Sequence, residues 1–191
     1  MYSAKHINKT GIILLRLLLI QYEFKEESEY MRYLVRQKVF SFGDNFTIKD
    51  EFEQDRYIIR GKVLSFGDKL KLEDLNGNEL FYIEQQLFRF LPEYYIYAGG
   101  QQMAAVKKEL SFFTPKFIID STYGSYDMQG NIFGYDFQIY KDGRMVASVS
   151  KQWFAFSDSY GVEIEDGEDH AFMLALIIVI DQVMHDKKNN S

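Results

Sequence analysis

The end of the chain carries ten consecutive apolar residues, AFMLALIIVI at positions 171–180. A helix on a protein surface keeps a polar stripe, and this segment would keep none for almost three turns, so it predicts a helix surrounded by protein or lipid. Ten residues are too few to span a bilayer, which takes about 20. With its polar flanks, the helix is predicted over about 169–186, and a polar tail follows at 187–191.

From Met31 to Glu165 apolar and polar residues alternate, which is typical of strands with one buried face. Pairs such as Asn76-Gly77, Gln129-Gly130 and Asp142-Gly143 are predicted to be hairpin turns, because these residues tolerate positive φ. The twelve predicted strands cover 33–40, 46–50, 56–64, 69–74, 79–87, 94–98, 101–110, 116–121, 125–128, 132–140, 144–154 and 161–164.

A sheet of this many strands would leave exposed edges that promote aggregation, and closing the sheet into a barrel removes them. Such a barrel has room inside for more than its own side chains. The predicted helix, about 27 Å long at about 1.5 Å per residue, suits that space. We therefore predict a mainly β fold, a closed antiparallel barrel of roughly twelve strands around one buried helix that includes Leu174, Ile177, Ile178 and Asp181.

Residues 1–30 do not share the strand pattern. The run GIILLRLLLI at 11–20 follows basic residues as in a signal peptide, but Arg16 interrupts it and no small-residue cleavage site follows. A membrane anchor stays an alternative for this run, and two further interpretations are open. Either Met31 is the natural start of a bacterial gene, with Lys25-Glu26-Glu27 encoded by its ribosome-binding sequence, or 12–20 form a short helix packed on the domain. Both divide the chain into an extension, 1–30, and one domain, 31–186.

Composition excludes several classes of function. The net charge of the 191 residues is −6, so the basic excess of a nucleic-acid-binding protein is missing. The chain has no cysteine, which excludes disulfides, thiolate nucleophiles and thiolate metal sites. Gly99-Gly100 is not followed by Lys-Ser or Lys-Thr, which excludes a phosphate-binding P-loop. We predict no cofactor.

A β-meander that ends in an apolar helix resembles the tubby C-terminal superfamily, which includes tubby proteins, phospholipid scramblases and LURP-one-related proteins. The end of the chain is similar to the scramblase and LURP-one ending at Asp158, Tyr160-Gly161 and Ile180-Asp181. The D-x-x-G-N segments within 74–83 and 127–135 resemble LURP-one repeats. Over about 31–186 the chain looks like a short bacterial LURP-one-related protein.

The resemblance implies two kinds of ligand. Tubby proteins bind phosphoinositides through a basic patch, and scramblases bind calcium. Basic residues that alternate with apolar ones along the strands are the candidates for anionic lipid, although they are also typical of a solvated outer face. They are Arg56, Arg60, Lys62, Lys69 and Lys71. The candidates for calcium are Asp158 and Glu163, although acids before a helix also stabilise its N-terminus.

Three hypotheses for function follow. The first is a non-enzymatic binding or scaffolding module, cytoplasmic or peripheral to a membrane, whose outer face contacts anionic phospholipid or a protein partner. The second is an enzyme with a loop site near His170, Asp158 and Glu163, or with Asp181 orienting His185 four residues later on one helix face. The third is a membrane-inserted, scramblase-like protein.

Overall fold

The computed structural model describes residues 30–36, 45–61, 69–111, 114–151 and 159–185. Twelve strands and a C-terminal helix follow one another, as predicted. They are β1 (Tyr30–Arg36), β2 (Phe46–Asp50), β3 (Asp55–Gly61), β4 (Lys69–Glu73), β5 (Glu79–Gln85), β6 (Glu93–Ala98), β7 (Gln101–Glu109), β8 (Lys116–Ser121), β9 (Tyr126–Asn131), β10 (Asp136–Lys141), β11 (Arg144–Ser150), β12 (Ser159–Glu165) and α1 (His170–His185). The extension predicted for 1–30 lies, except for Tyr30, outside the described residues.

The twelve strands form one antiparallel sheet that curves into a barrel. Strands adjacent in sequence pair with each other from β1 to β8 and from β9 to β12, and β1 lies beside β12. The two edge strands, β8 and β9, meet and are joined by the short connection 122–125, but no ladder of hydrogen bonds joins them. The predicted barrel is confirmed, with one open line between β8 and β9 that we call the seam.

The inner face of the barrel consists of the apolar residues of the alternating pattern. Ile59 of β3 lies opposite Leu72 of β4, and Ile83 of β5 lies opposite Ile96 of β6. All four side chains are buried. Apolar pairs that face each other across neighbouring strands stabilise both the sheet and its register.

Helix α1 fills the barrel. Every side chain from Phe172 to Ile180 is at most 1% exposed, and this range contains Leu174, Ile177 and Ile178. The carboxylate of Asp169 caps the helix by accepting the backbone N–H of Phe172 at 3.0 Å. The ring of Phe172 stacks on Tyr123, with ring centres 4.1 Å apart. Among the described residues, no helix combines the length and apolar character that crossing a bilayer requires.

The prediction of a turn at Gln129-Gly130 was wrong. Both residues lie inside β9, and the turn that follows spans 132–135, with Tyr135 at φ +52°. Gly130 has φ +116°, and a Cβ there would lie 2.7 Å from the carbonyl oxygen of Asp136 on β10. A close approach between two backbones, rather than a turn, therefore explains this glycine.

The two ends of the barrel differ because connections between antiparallel strands alternate between them. At one end, the turn end, α1 begins. Its connections are 51–54, 74–78, 99–100, 122–125, 142–143 and 166–169. At the opposite end, the loop end, α1 finishes. Its described connecting residues are 45, 86–92, 110–111, 114–115, 132–135 and 151.

Candidate functional site

The predicted lipid-binding bases on the barrel wall each lie beside a carboxylate from the sheet. Arg56 Nε is 2.9 Å from Asp50 Oδ2, and Arg60 Nε is 2.6 Å from Glu73 Oε2. The ammonium groups of two lysines are paired in the same way, Lys69 with Glu84 at 2.8 Å and Lys71 with Glu79 at 2.6 Å. Lys62 lies outside the described residues. An anion bound at the wall would therefore compete with a carboxylate for each described base.

The ion pair of Asp50 and Arg56 also shapes the connection between β2 and β3. Asp50 is buried, and its Oδ1 accepts the backbone N–H groups of Phe52 and Gln54, each at 2.9 Å. Burial opposes ionisation of this carboxyl group, but the two N–H groups and Arg56 outweigh that effect and lower the pKa of Asp50. Asp50 and Arg56 thus hold the β2–β3 connection in a fixed geometry.

The predicted calcium ligands do not meet in the described part of the chain. Asp158 lies outside it. Glu163 on β12 accepts a hydrogen bond from Arg32 Nε at 2.5 Å and another from Ser148 Oγ at 3.3 Å. Among the described residues, no group of three or more Asp, Glu or His side chains is arranged to hold a metal ion.

His170, the proposed base of a loop enzyme, lies at the first turn of α1. Its Nδ1 is 2.8 Å from the hydroxyl of Tyr33, and its Nε2 is 3.2 Å from the carbonyl oxygen of Glu165. Burial raises the pKa of the Tyr33 hydroxyl, which keeps it neutral and able to donate. Both ring nitrogens therefore have neighbours that anchor the helix to β1 and to the end of β12.

Asp181 lies in a buried polar cluster near the end of α1. Its Oδ1 accepts a hydrogen bond from the hydroxyl of Tyr135, whose ring stacks on Tyr160 with centres 4.8 Å apart. Burial raises the pKa of both tyrosines, and the carboxylate of Asp181 adds to the effect. A cavity of about 40 Å³ adjoins the cluster, which is enough for a buried water and too small for a metabolite. The side chain of His185, the predicted partner of Asp181, is outside the described residues.

Exposed apolar side chains concentrate at the loop end. Phe88 is fully exposed and Phe90 is 84% exposed, both in the β5–β6 connection. Leu87, Leu110 and Phe133 add to the same surface from this connection and the two that follow it at the loop end. Neighbouring strands carry these connections, so the side chains lie along one stretch of the rim. Exposed apolar patches of this kind mark sites of interaction with proteins or membranes.

The charge of the two ends also differs. The connections of the turn end contain seven acidic residues and no lysine or arginine; the acids are Glu51, Glu53, Asp74, Asp142, Asp166, Glu168 and Asp169. At the loop end, none of the described connecting residues is acidic, and Arg89 and Lys151 are basic. Arg89 Nε and Lys107 Nζ share one carboxylate, that of Glu93, at 3.1 and 3.4 Å. The described loop end is therefore apolar and locally cationic, whereas the turn end is acidic.

Comparison with known proteins identifies the relatives of this barrel. The profile of the family described as LURP-one-related matches residues 31–181. The chain belongs to the LURP-one-related family. It is 36% identical over 157 residues to the uncharacterised protein YxjI of Bacillus subtilis (strain 168). The alignment covers 82% of this chain and 96% of that protein. The resemblance predicted from the sequence is thereby confirmed.

A solved structure shares the fold of this LURP-one-related protein. The X-ray structure of a protein from Arabidopsis thaliana superposes with a TM-score of 0.61, covering 81% of this chain and 91% of that one. The two sequences are 17% identical, so the similarity concerns the fold alone.

The exposed apolar residues of the loop end were not predicted from the sequence. The segment LFRFLP at 87–92 breaks the alternation of the strands on either side, with aromatic residues where a connection is usually polar. That break was the available signal. The basic residues that alternate along the strands indicated a site on the wall instead.

Proposed function

We propose that this LURP-one-related protein is a non-enzymatic module that binds the surface of an anionic lipid bilayer through its loop end. The observation that carries the proposal is the contrast between the two ends of the barrel. In the described connections of one end, large apolar side chains and two bases are exposed. The connections of the other end contain seven acids, of which Glu168 has a side chain that is 4% exposed and paired with Lys141 and Arg144. A negatively charged surface attracts the first end and repels the second, which gives the protein one orientation.

The side chains of the loop end suit an interface between water and lipid. Phe88, Phe90, Leu110 and Phe133 project from connections rather than from the wall, so they can enter the head-group region without unfolding the sheet. Arg89 and Lys151 lie at the same end, where lipid phosphates would be within reach. The predicted site on the wall is less suitable, because each of its described bases has a carboxylate of its own. At the loop end, Arg89 and Lys107 share the single carboxylate of Glu93.

Magnitudes indicate weak and reversible binding. Full burial of four large apolar side chains contributes about 6–12 kcal/mol at about 1.5–3 kcal/mol each. Each base near an anionic surface adds about 1 kcal/mol. Loss of translational and rotational freedom costs about 4–15 kcal/mol, so the net affinity is modest. Part of it is electrostatic and must weaken as the salt concentration rises.

Cosedimentation with vesicles tests the proposal. The protein should pellet with phosphatidylglycerol vesicles at low salt, less at high salt, and much less with phosphatidylcholine vesicles. The double variant Phe88→Ser/Phe90→Ser should lose most of this binding. Phe52→Ser/Leu75→Ser is the matched control, because Phe52 is 74% exposed but lies with Leu75 at the turn end.

Two results would contradict the proposal. One is equal binding by the two double variants, since an interface at the loop end requires them to differ. The other is an absence of binding to phosphatidylglycerol vesicles at low salt, where attraction is strongest. In that case the exposed aromatic residues would belong to a protein interface instead.

A further inference from the structure

The seam leaves two strand edges that face each other without pairing. β8 (Lys116–Ser121) and β9 (Tyr126–Asn131) are both fully described. Within the described part of the chain each pairs on one side only, β8 with β7 and β9 with β10. Four residues, 122–125, join the two strands at the turn end. Unpaired edges are templates for a further strand, and proteins usually cover them. What could cover the seam depends on the groups that line it.

Three residues on each edge direct their backbone groups into the seam. The N–H of Thr122 donates to the carbonyl oxygen of Met103 on β7 at 2.9 Å. Backbone groups of a strand alternate in direction, so those of Phe117, Ile119 and Ser121 point away from β7. On the other edge, Asp142 N–H donates to the carbonyl oxygen of Ser125 at 2.9 Å. By the same alternation, the groups of Tyr126, Met128 and Gly130 point away from β10.

The seam widens into a cleft of about 430 Å³ toward the loop end. Phe117, Met128 and Ile132 give it an apolar lining, and Lys116, Asp127 and Glu109 give it charged walls. Phe117 and Met128 are half-buried and pack against the barrel core. Lys116 and Asp127 lie on the outward-facing positions of their strands and are exposed. The cleft therefore offers an apolar inner side and a charged outer side.

We propose that the seam binds an extended peptide segment of a partner protein, which adds as a strand to the edges of β8 and β9. Rows of backbone donors and acceptors at strand spacing match another strand, because only a polypeptide repeats the same groups at that spacing. A strand also turns alternate side chains to opposite faces, as the cleft requires. The partner segment thus has apolar residues facing Phe117 and Met128. On its outer side it has one acidic residue beside Lys116, and neutral residues beside Asp127 and Glu109, where an acid would be repelled.

Amide hydrogen exchange followed by NMR tests the proposal residue by residue. In the protein alone, the amides of Phe117, Ile119 and Met128 should exchange fast, while those of Ile118 and Asp120, which point toward β7, exchange slowly. The probe is the blocked peptide Thr-Val-Glu-Val-Thr. On its addition, the three fast amides should become protected and the chemical shifts of β8 and β9 should change.

Two controls separate strand addition from other binding. The same peptide methylated on both valine nitrogens lacks two donors, and it should bind about tenfold more weakly or worse. The variant Lys116→Glu, at an exposed position, should reverse a preference for the glutamate peptide over one with lysine at its centre. Both experiments are performed without lipid, so they do not depend on the membrane proposal.

Three results would overturn the inference. Slow exchange of Phe117, Ile119 and Met128 in the protein alone would mean that another part of this chain already covers the seam. Equal affinity for the methylated and unmethylated peptides would show that backbone pairing is not the mode of binding. Unchanged β8 and β9 signals at millimolar peptide, for both the glutamate and the lysine peptide, would exclude a peptide site.

Discussion

Replacement of Ile177 by aspartate should unfold the barrel. Ile177 lies in the middle of α1 and is 1% exposed. Loss of its apolar side chain and the cavity left behind cost about 2–5 kcal/mol. An unpaired buried carboxylate adds several kcal/mol even after relaxation. Asp181, four residues along the same helix face, makes the site worse for a second negative charge. The sum is close to the whole stability of about 5–15 kcal/mol that proteins have.

Urea unfolding followed by circular dichroism measures the effect. Ile177→Asp should yield insoluble or largely unfolded protein at neutral pH. Ile177→Asn, similar in size and without the charge, should be less damaged, and Ile177→Val should lose only about 0.5–1.5 kcal/mol. If Ile177→Asp unfolded at the same urea concentration as Ile177→Val, α1 would not be the dry centre of the barrel, and the reasoning from its uninterrupted apolar run would fail.

Three further predictions concern tyrosine, strain and glycine. Burial raises the pKa of Tyr126 above its ordinary value. Above about pH 10 the unfolded chain therefore loses a proton that the folded chain keeps. The free energy of unfolding then falls by about 1.4 kcal/mol per pH unit for each such tyrosine. Tyr126→Phe should make this fall less steep in urea titrations at alkaline pH, whereas an unchanged slope would mean that Tyr126 ionises normally in the fold. Phe88→Gly should keep or raise the unfolding temperature. Phe88 has φ +60° and an exposed ring, and this left-handed conformation costs about 1–2 kcal/mol, which glycine avoids. A clear loss of stability would show that the ring is needed for folding. Gly130→Ala should destabilise the protein more than Gly77→Ala. Both glycines have positive φ, but only a Cβ at Gly130 would meet backbone atoms of the neighbouring strand. Equal losses of stability in urea titrations would contradict that contact.

The sequence was most informative where one interaction dominates. The run 171–180 has no polar face, so burial alone predicts both the helix and its place at the centre of a sheet. The strands were found because their inner faces need apolar residues at every second position. The Asp74-to-Asn78 segment was correctly assigned to a turn, in which Asp74 Oδ1 accepts the N–H groups of Asn76 and Asn78.

Similarity between two short segments did not predict the same conformation, because neighbouring strands decide it. Asp127 to Asn131 repeats the pattern of Asp74 to Asn78, yet it forms strand β9. The difference is the pairing of Gly130 with Phe137, which keeps the segment extended. A glycine permits both a turn and a close approach of two strands, so local sequence could not separate them.

Charge partners could not be read from the sequence, because they depend on register. Lys71 on β4 lies across from Tyr82 on β5, and its ammonium group reaches Glu79 at the start of β5. Arg60 and Glu73 come from neighbouring strands and are 13 positions apart in the chain. A basic residue on a strand therefore looks free in the sequence until the neighbouring strands are aligned. At the loop end, the segment 87–92 interrupts the alternation of the strands, but its letters do not show that the aromatic side chains are exposed rather than buried.

A barrel that is filled by its own helix must bind its partners elsewhere. The cavity beside Asp181 holds about 40 Å³, too little for a metabolite, and in the described part of the chain the rim and the cleft of the seam offer larger surfaces. These two surfaces share a connection: Ile132 lines the cleft of the seam, and its neighbour Phe133 is exposed at the loop end. A strand added beside β9 would press on the turn 132–135, which also carries Tyr135 and its hydrogen bond to Asp181. Peptide binding in the seam and lipid binding at the loop end should therefore influence each other, and by linkage the effect must be equal in both directions.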